Sequence, residues 1–245
     1  MKYMGSKARL SKDLAPIINK IISDNDINTY IEPFVGGANM IQNINCNRKI
    51  GLDNNIYLIS MWNALLSGWN PPEKITKEEY NDIKDNKDSY PKELVSIAGF
   101  CATYNAKWFG GYAGIVKTKN GTIRNYYDES IRNIMKQLDL LRDVEFVSGD
   151  YSRISKVKKA LIYCDPPYQG TTKYDNDGFD YEKFWNWVRE MSEDNIVLIS
   201  EYNAPDDFEV IFTKTLTTTL DKNSRKTDTE KLFIIKNTKC SKISN

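Results

Sequence analysis

An unbroken apolar run, Ala160–Cys164, stops abruptly at Asp165-Pro166-Pro167-Tyr168. Apolar residues without alternation are the pattern of a strand covered on both faces, as in a parallel sheet flanked by helices. The two prolines end that strand, because each fixes its φ and lacks an N–H for the ladder. A carboxylate, outward-pointing carbonyls and a tyrosine ring are thereby held at the carboxyl edge of a sheet, where open α/β folds bind ligands. Asp-Pro-Pro is also ordinary turn chemistry, so the tetrapeptide takes its meaning from its surroundings.

Those surroundings alternate. Strands are predicted at Thr29–Glu32, Lys49–Leu52, Val144–Ser148, Ile196–Ser200, Val210–Leu216 and Leu232–Ile235, with helical stretches between most of them. In Tyr181–Ser192 the residues Phe184, Trp187, Val188 and Met191 recur at helical spacing, as a core-facing stripe does. The pattern predicts an α/β fold with a mostly parallel sheet. The last two strands, joined by a polar stretch over Asp221–Glu230, read as an antiparallel hairpin at one sheet edge.

The interval from Trp62 to Leu138 breaks the alternation. Pro71-Pro72 marks a turn, Glu73–Glu93 is charged and helix-forming, and Leu94–Ala106 is apolar. Asn120-Gly121, set between Ile115–Lys117 and Thr122–Arg124, is a strong β-hairpin signal. The chain therefore divides into a main body, 1–62 and 138–245, and a mainly helical, hairpin-bearing insert, 63–137. Charge follows this division. Net charge is only +1, yet 107–136 holds six basic and two acidic residues, while 175–209 holds eleven acidic and two basic ones. Trp108, Phe109, Tyr112, Tyr126 and Tyr127 interleave with Lys107, Lys117, Lys119 and Arg124. That mixture suits a nucleic-acid surface, since phosphate contacts need lysine or arginine.

Two features at strand ends suit a nucleoside. Pro33-Phe34-Val35-Gly36-Gly37-Ala38-Asn39 follows the first strand and precedes the helical-looking Met40–Ile44, and glycine there allows a tight turn and close approach of a ligand. The dinucleotide fingerprint Gly-x-Gly-x-x-Gly is absent. The second strand ends in Asp53-Asn54-Asn55, where an acid can accept both hydroxyls of a ribose. Composition removes other classes. The absence of histidine excludes a Ser-His-Asp triad, a Cys-His pair and any histidine-ligated zinc. Cys46, Cys101, Cys164 and Cys240 are scattered, which suits neither a metal site nor a disulfide framework. No run of about eighteen apolar residues occurs and no cleavable signal is seen, so a soluble cytoplasmic protein is expected.

The ordered set of these motifs resembles the Dam-type DNA adenine-N6 methyltransferases of the Asp-Pro-Pro-Tyr class, and in particular the small orphan enzymes of phages and prophages. Lys107–Ala113 and Ser200–Pro205 suggest the latter. The resemblance runs from residue 2 to about 205 and implies a Rossmann-like S-adenosylmethionine-dependent fold with a seven-stranded sheet. It implies a catalytic motif of Asp165, Pro166, Pro167 and Tyr168. Cofactor contacts are implied for Tyr3, Met4, Lys7, Pro33, Phe34, Gly36, Gly37, Asp53, Asn54, Asp150, Tyr151 and Asp165. The target-recognition segment falls in the insert, where Lys107, Tyr112, Lys117, Lys119, Arg124, Asn125 and Tyr126 are candidate DNA contacts. Lys173 is a further candidate, in a loop expected to close over the target. Partners implied are duplex DNA with its target adenine flipped out and, as a candidate, a restriction endonuclease; no metal and no membrane are implied.

Two departures matter. A glycine common in the family loop is Ala38 here, and the loop by which the family reads GATC is absent, Arg124-Asn125-Tyr126 being a partial echo. Cytosine N4, RNA adenine, a protein glutamine amide, or a catalytically silent DNA-binding role are the alternative readings.

Overall fold

A computed structural model describes residues 1–3, 5–118, 120–168, 178–219 and 225–236. Seven strands form one sheet, and two more form a separate hairpin. The strands are β1 (Thr29–Glu32), β2 (Arg48–Asp53), β3 (Ile115–Lys117), β4 (Ile123–Asn125), β5 (Val144–Ser148), β6 (Ala160–Cys164), β7 (Ile196–Glu201), β8 (Phe208–Thr219) and β9 (Arg225–Ile235). The sheet order is β5-β2-β1-β6-β7-β9-β8. With the insert hairpin set aside, this is the doubly wound α/β order, with an antiparallel last strand slotted in beside β7. The expectation of a mostly parallel seven-stranded sheet with an antiparallel C-terminal hairpin is met. The chain divides into two compact units, the first of Met1–Ile18, Val35–Asn45 and Lys49–Asp150, the second of Asn19–Phe34, Cys46–Arg48 and Tyr151–Asn245.

In the first unit β2 and β5 pair in parallel with Asp53 opposite Ser148, so both strands end at the same level. The Gly149 N–H then donates to the Asp53 carbonyl at 2.9 Å. Helix α1 spans Ser11–Asp24, and α2 (Ile56–Leu66) starts at Asn55, whose side chain accepts from the Leu58 N–H. It buries Leu58, Ile59, Met61, Trp62 and Leu65, and Trp62 stacks on Phe146 of β5 with ring centroids 5.7 Å apart. Helix α3 (Lys77–Asp85) carries a capping box of Thr76 and Glu79. The apolar α4 (Lys92–Cys101) packs on both α2 and α3. The β3–β4 hairpin forms where Asn120-Gly121 predicts it, with Gly121 at φ +80°. It leads directly into α5 (Tyr126–Leu138), which buries Tyr127, Ile134 and Gln137 on one helical face.

In the second unit β1, β6 and β7 pair in parallel. All five residues of β6 are fully buried, as a strand covered on both faces must be. β7 then pairs antiparallel with β9, and β9 with β8. Helix α6 (Tyr181–Met191) is capped by Asp180 and buries Phe184, Trp187, Val188 and Met191, the stripe its spacing predicts.

Two expectations are corrected. Met40–Ile44 forms only a 3-10 turn at Ile41–Asn43. The Asn43 side-chain amide donates to the Asn39 carbonyl at 2.9 Å, taking the acceptor that a next helical turn would use. The polar stretch expected to be a loop over Asp221–Glu230 is largely strand. β8 and β9 pair as far as Thr219 opposite Arg225, and the threonine-rich sequence favours extension.

Candidate functional site

The glycine loop and the acid after β2 are joined. Asp53 is 9 % exposed, and its carboxylate accepts the Gly36 N–H at 2.9 Å and the Asn55 N–H at 2.9 Å. Burial pushes its carboxyl above the ordinary aspartate range, partly offset by those two N–H groups. An ionised carboxylate offers about four acceptor positions on two oxygens, so Asp53 can brace the loop and still accept a pair of hydroxyls. The remaining acceptor positions therefore fit the hydroxyls of a ribose.

The loop itself is held from three sides. Trp62 donates its indole N–H to the Gly36 carbonyl at 3.2 Å. The buried Gln137 side chain on α5 donates to the carbonyls of Gly37 at 2.9 Å and Ala38 at 3.0 Å. Tyr3 covers the loop so closely that a Cβ on Gly36 or Gly37 would lie 2.9 or 2.8 Å from its side chain. Gly36 and Ala38 both have positive φ, so Ala38 takes the strained conformation that a glycine would take freely. Lys7 is buried in the first 3-10 turn, whereas Asn54 and Asp150 are exposed. Met4 lies outside the described residues. The bracing by Trp62 and Gln137 was not anticipated, because neither lies in a recognisable motif.

In the second unit the parallel register of β1 and β6 pairs Ile31 with Ile162, so Pro33-Phe34 and Asp165-Pro166 leave the sheet side by side at its carboxyl edge. This is the point where strand order reverses, and such crevices bind ligands in doubly wound sheets. Phe34 packs on Tyr151 and on Phe184 and Phe179. Tyr151 is 4 % exposed within that cluster and Phe34 is half-buried, so Phe34 is the more accessible ring. Asp165 and Pro167 are partly exposed and Pro166 is buried. Tyr168 donates its phenol to Glu230 at 2.6 Å, and its ring meets Tyr202 edge-on at 4.7 Å. Further buried polar groups stand on β1, β6 and β7. Tyr30 donates to Glu32 at 3.1 Å, and the hydroxyls of Tyr163 and Ser200 are 2.8 Å apart. Burial, with the nearby charge of Asp165 second, raises the phenols of Tyr163 and Tyr168 well above the ordinary range. Glu32, Glu230 and Tyr202 were not singled out from the sequence.

The insert separates into core and surface. Trp108 packs on Phe100 and Tyr57, and Phe109 on Tyr80. The Trp108 ring lies over Gly99 of α4, where a Cβ would come within 2.4 Å of it. Tyr127 is buried with its hydroxyl on the Pro72 carbonyl, and Tyr112 donates to the Ile75 carbonyl at 2.8 Å. These rings build the insert's own packing. Lys107 and Lys117 are exposed, as are the hairpin residues Ile115 and Ile123 at 70 % and 71 %. Arg124 is engaged: its guanidinium meets Glu129 in two hydrogen bonds of 2.8 and 2.5 Å and stacks 4.7 Å from the Tyr126 ring. The Asn125 side chain caps α5, accepting from the Asp128 N–H. Lys119 and Lys173 lie outside the described residues.

The family model for D12 class N6 adenine-specific DNA methyltransferases matches residues 3–186. Type II methyltransferase M.FokI of Planomicrobium okeanokoites is 24% identical over 214 residues, covering 78% of this chain and 32% of that protein. Modification methylase StsI of Streptococcus sanguinis is 26% identical over 217 residues, with the same two coverages, 78% and 32%. Type II methyltransferase M.MjaIII of Methanocaldococcus jannaschii is 23% identical over 246 residues, covering 83% of this chain and 84% of that protein. The chain thus spans about a third of the length of the first two relatives and most of the third.

Proposed function

The chain belongs to the D12 class N6 adenine-specific DNA methyltransferase family, and on that premise we propose that it methylates the N6 of an adenine swung out of duplex DNA. The observation that carries this reading is the position of Asp165-Pro166-Pro167-Tyr168, which leaves β6 at the strand-order reversal beside the end of β1. The cofactor of such an enzyme is S-adenosylmethionine, which supplies an electrophilic methyl group on a positively charged sulfur.

Asp53 would accept the ribose hydroxyls of that cofactor, beside the Gly36-Gly37 backbone that it braces. Tyr3, Met4 and Lys7 would serve its methionine end, and Pro33, Phe34, Asn54, Asp150 and Tyr151 would be its further contacts. Adenine N6 is a poor nucleophile, since its lone pair is delocalised into the ring. Asp165 accepts one N6 hydrogen and the Pro166 carbonyl accepts the other, which draws the nitrogen toward tetrahedral geometry and aims its lone pair for in-line attack. The surplus proton leaves after methyl transfer, so Asp165 need not be a strong base. Positioning and preorganised dipoles carry most of the barrier reduction. Tyr168 holds the plane of the base, which cannot be reached while stacked in the duplex.

DNA is bound through the basic side of the insert, with Lys107, Lys117 and Arg124 on phosphates or base edges. Among the described residues no helix is long and apolar enough to cross a membrane; the proposed setting is the cytoplasm, with a restriction endonuclease as a candidate partner. The test is methyl transfer from tritiated S-adenosylmethionine to DNA free of modified bases, followed by nucleoside analysis. N6-methyladenine supports the reading. N4-methylcytosine, or label only in RNA or protein, overturns it.

A further inference from the structure

We propose that Glu230 is a positioning residue for methyl transfer, setting the orientation of the Tyr168 ring through its hydrogen bond to the tyrosine hydroxyl. The inference rests on the reading of Tyr168 as the ring that holds the target base. Glu230 lies beyond the residues that the family model matches, on the last strand of the sheet.

The two prolines of the catalytic motif fix the backbone on which Tyr168 stands, but they do not fix its side chain. Proline restricts φ and neighbouring backbone, and the ring still has two torsions to choose. Contacts with Glu230 and Tyr202, both among the described residues, restrict them. The hydroxyl donates to Glu230 Oε2 at 2.6 Å, a distance typical of an O–H to carboxylate bond, which is stronger than a neutral one. The ring edge meets the Tyr202 ring at 88°, with centroids 4.7 Å apart. One contact anchors the tip of the ring and the other stops its rotation.

Strand pairing supplies both contacts. β9 pairs antiparallel with β7 so that Lys231 lies opposite Glu201, which brings Glu230 and Tyr202 to the same end of that pair. On its other side Glu230 lies opposite Lys214 of β8. Tyr168 is 8 % exposed, and burial keeps its phenol protonated far above neutral pH, so it remains the donor and Glu230 the acceptor. Because only Pro166 and Pro167 separate Tyr168 from Asp165, a change in ring tilt moves the plane of a stacked base relative to the carboxylate that holds its N6. Misplacement of a reacting group by about 1 Å can cost roughly a hundredfold in rate.

The test compares Glu230→Ala, Glu230→Gln, Tyr168→Phe, Tyr168→Ala and the Glu230→Ala/Tyr168→Phe double variant in the full chain. The assay uses tritiated S-adenosylmethionine and DNA free of N6-methyladenine, with cofactor affinity measured separately. Glu230→Ala should lower kcat roughly 10- to 100-fold while the KM for S-adenosylmethionine stays within about twofold. Glu230→Gln keeps an acceptor oxygen and should recover most of that loss. The double variant should be no slower than the slower single one, since both remove the same bond. Wild-type kcat in Glu230→Ala overturns the inference, as does a fully additive double variant. If Glu230→Ala does not fold, failure of Glu230→Gln to exceed Tyr168→Phe overturns it equally. Tyr168→Ala separates the two readings: full activity there removes the role of Tyr168 itself, whereas an inactive Tyr168→Ala beside a fully active Glu230→Ala removes only the role of Glu230.

Discussion

Asp53 accepts the backbone N–H of Gly36 at 2.9 Å, so the acid after the second strand is joined to the glycine loop after the first. The carboxylate proposed to receive ribose hydroxyls thus also holds the loop beside it. Asp53→Ala should therefore weaken S-adenosylmethionine binding by about 1–3 kcal/mol, the value of a charge-assisted hydrogen-bond partner. Calorimetry at fixed pH checks it, and an unchanged dissociation constant would make Asp53 a loop brace alone. The pH dependence has a definite sign. Burial raises the Asp53 carboxyl, and the proposed pairing with both hydroxyls needs its ionised form. Affinity should be full above the folded pKa and fall as pH drops through it, beginning at a higher pH than for an ordinary aspartate.

Gln137 should act on the same loop from the opposite side. Its amide satisfies the Gly37 and Ala38 carbonyls, and a buried carbonyl left without a donor costs about 1–3 kcal/mol. Gln137→Ala should lower the unfolding free energy by an amount in that range. It should also weaken cofactor binding with little change in kcat. Denaturant unfolding with and without S-adenosylmethionine measures both effects.

The packing of Trp108 on α4 makes Gly99 a sensitive position. A methyl group there would sit 2.4 Å from the indole ring, and overpacking of this kind costs about 1–3 kcal/mol. Gly99→Ala should lower the melting temperature, and Trp108→Ala should destabilise the protein rather than selectively weaken DNA binding. Equal stability with selective loss of DNA affinity in Trp108→Ala would return that ring to the DNA surface.

Arg124 is held by Glu129, so the DNA contact proposed for it must compete with that carboxylate. Glu129→Ala removes a negative charge and releases the guanidinium. It should strengthen binding to unrelated DNA and steepen its salt dependence by about one unit. Lys117→Ala should flatten that slope by a similar amount on all sequences. Filter binding across a salt series resolves the two, and identical slopes in all three proteins would place the DNA surface elsewhere.

Local patterns carried much of the fold. β6 was legible because five apolar residues run into two prolines, and the β3–β4 hairpin because Asn-Gly sits between two short strand formers. α6 was legible from four residues at helical spacing. The Ile41–Asn43 turn was not, because a side-chain amide four residues away competes for the carbonyl. The packing of Trp108, Phe109 and Tyr127 within the insert was not legible for a similar reason. Interleaving with lysine looks the same whether a ring faces a base or packs on Gly99, and only the position of α4 distinguishes them. Glu230 and Tyr202 stand far along the chain from Tyr168 and reach it through strand register alone. The Asp53–Gly36 bond likewise follows from how β2 ends beside the loop, which no local signal records.

The most direct measurement is methyl transfer by Asp165→Asn, which replaces a charged acceptor with a neutral amide of nearly the same shape. N6-methyladenine formation should fall to background while binding of S-adenosylmethionine and the melting temperature stay close to wild type. A variant that binds the cofactor and still methylates adenine at the wild-type rate would contradict that expectation.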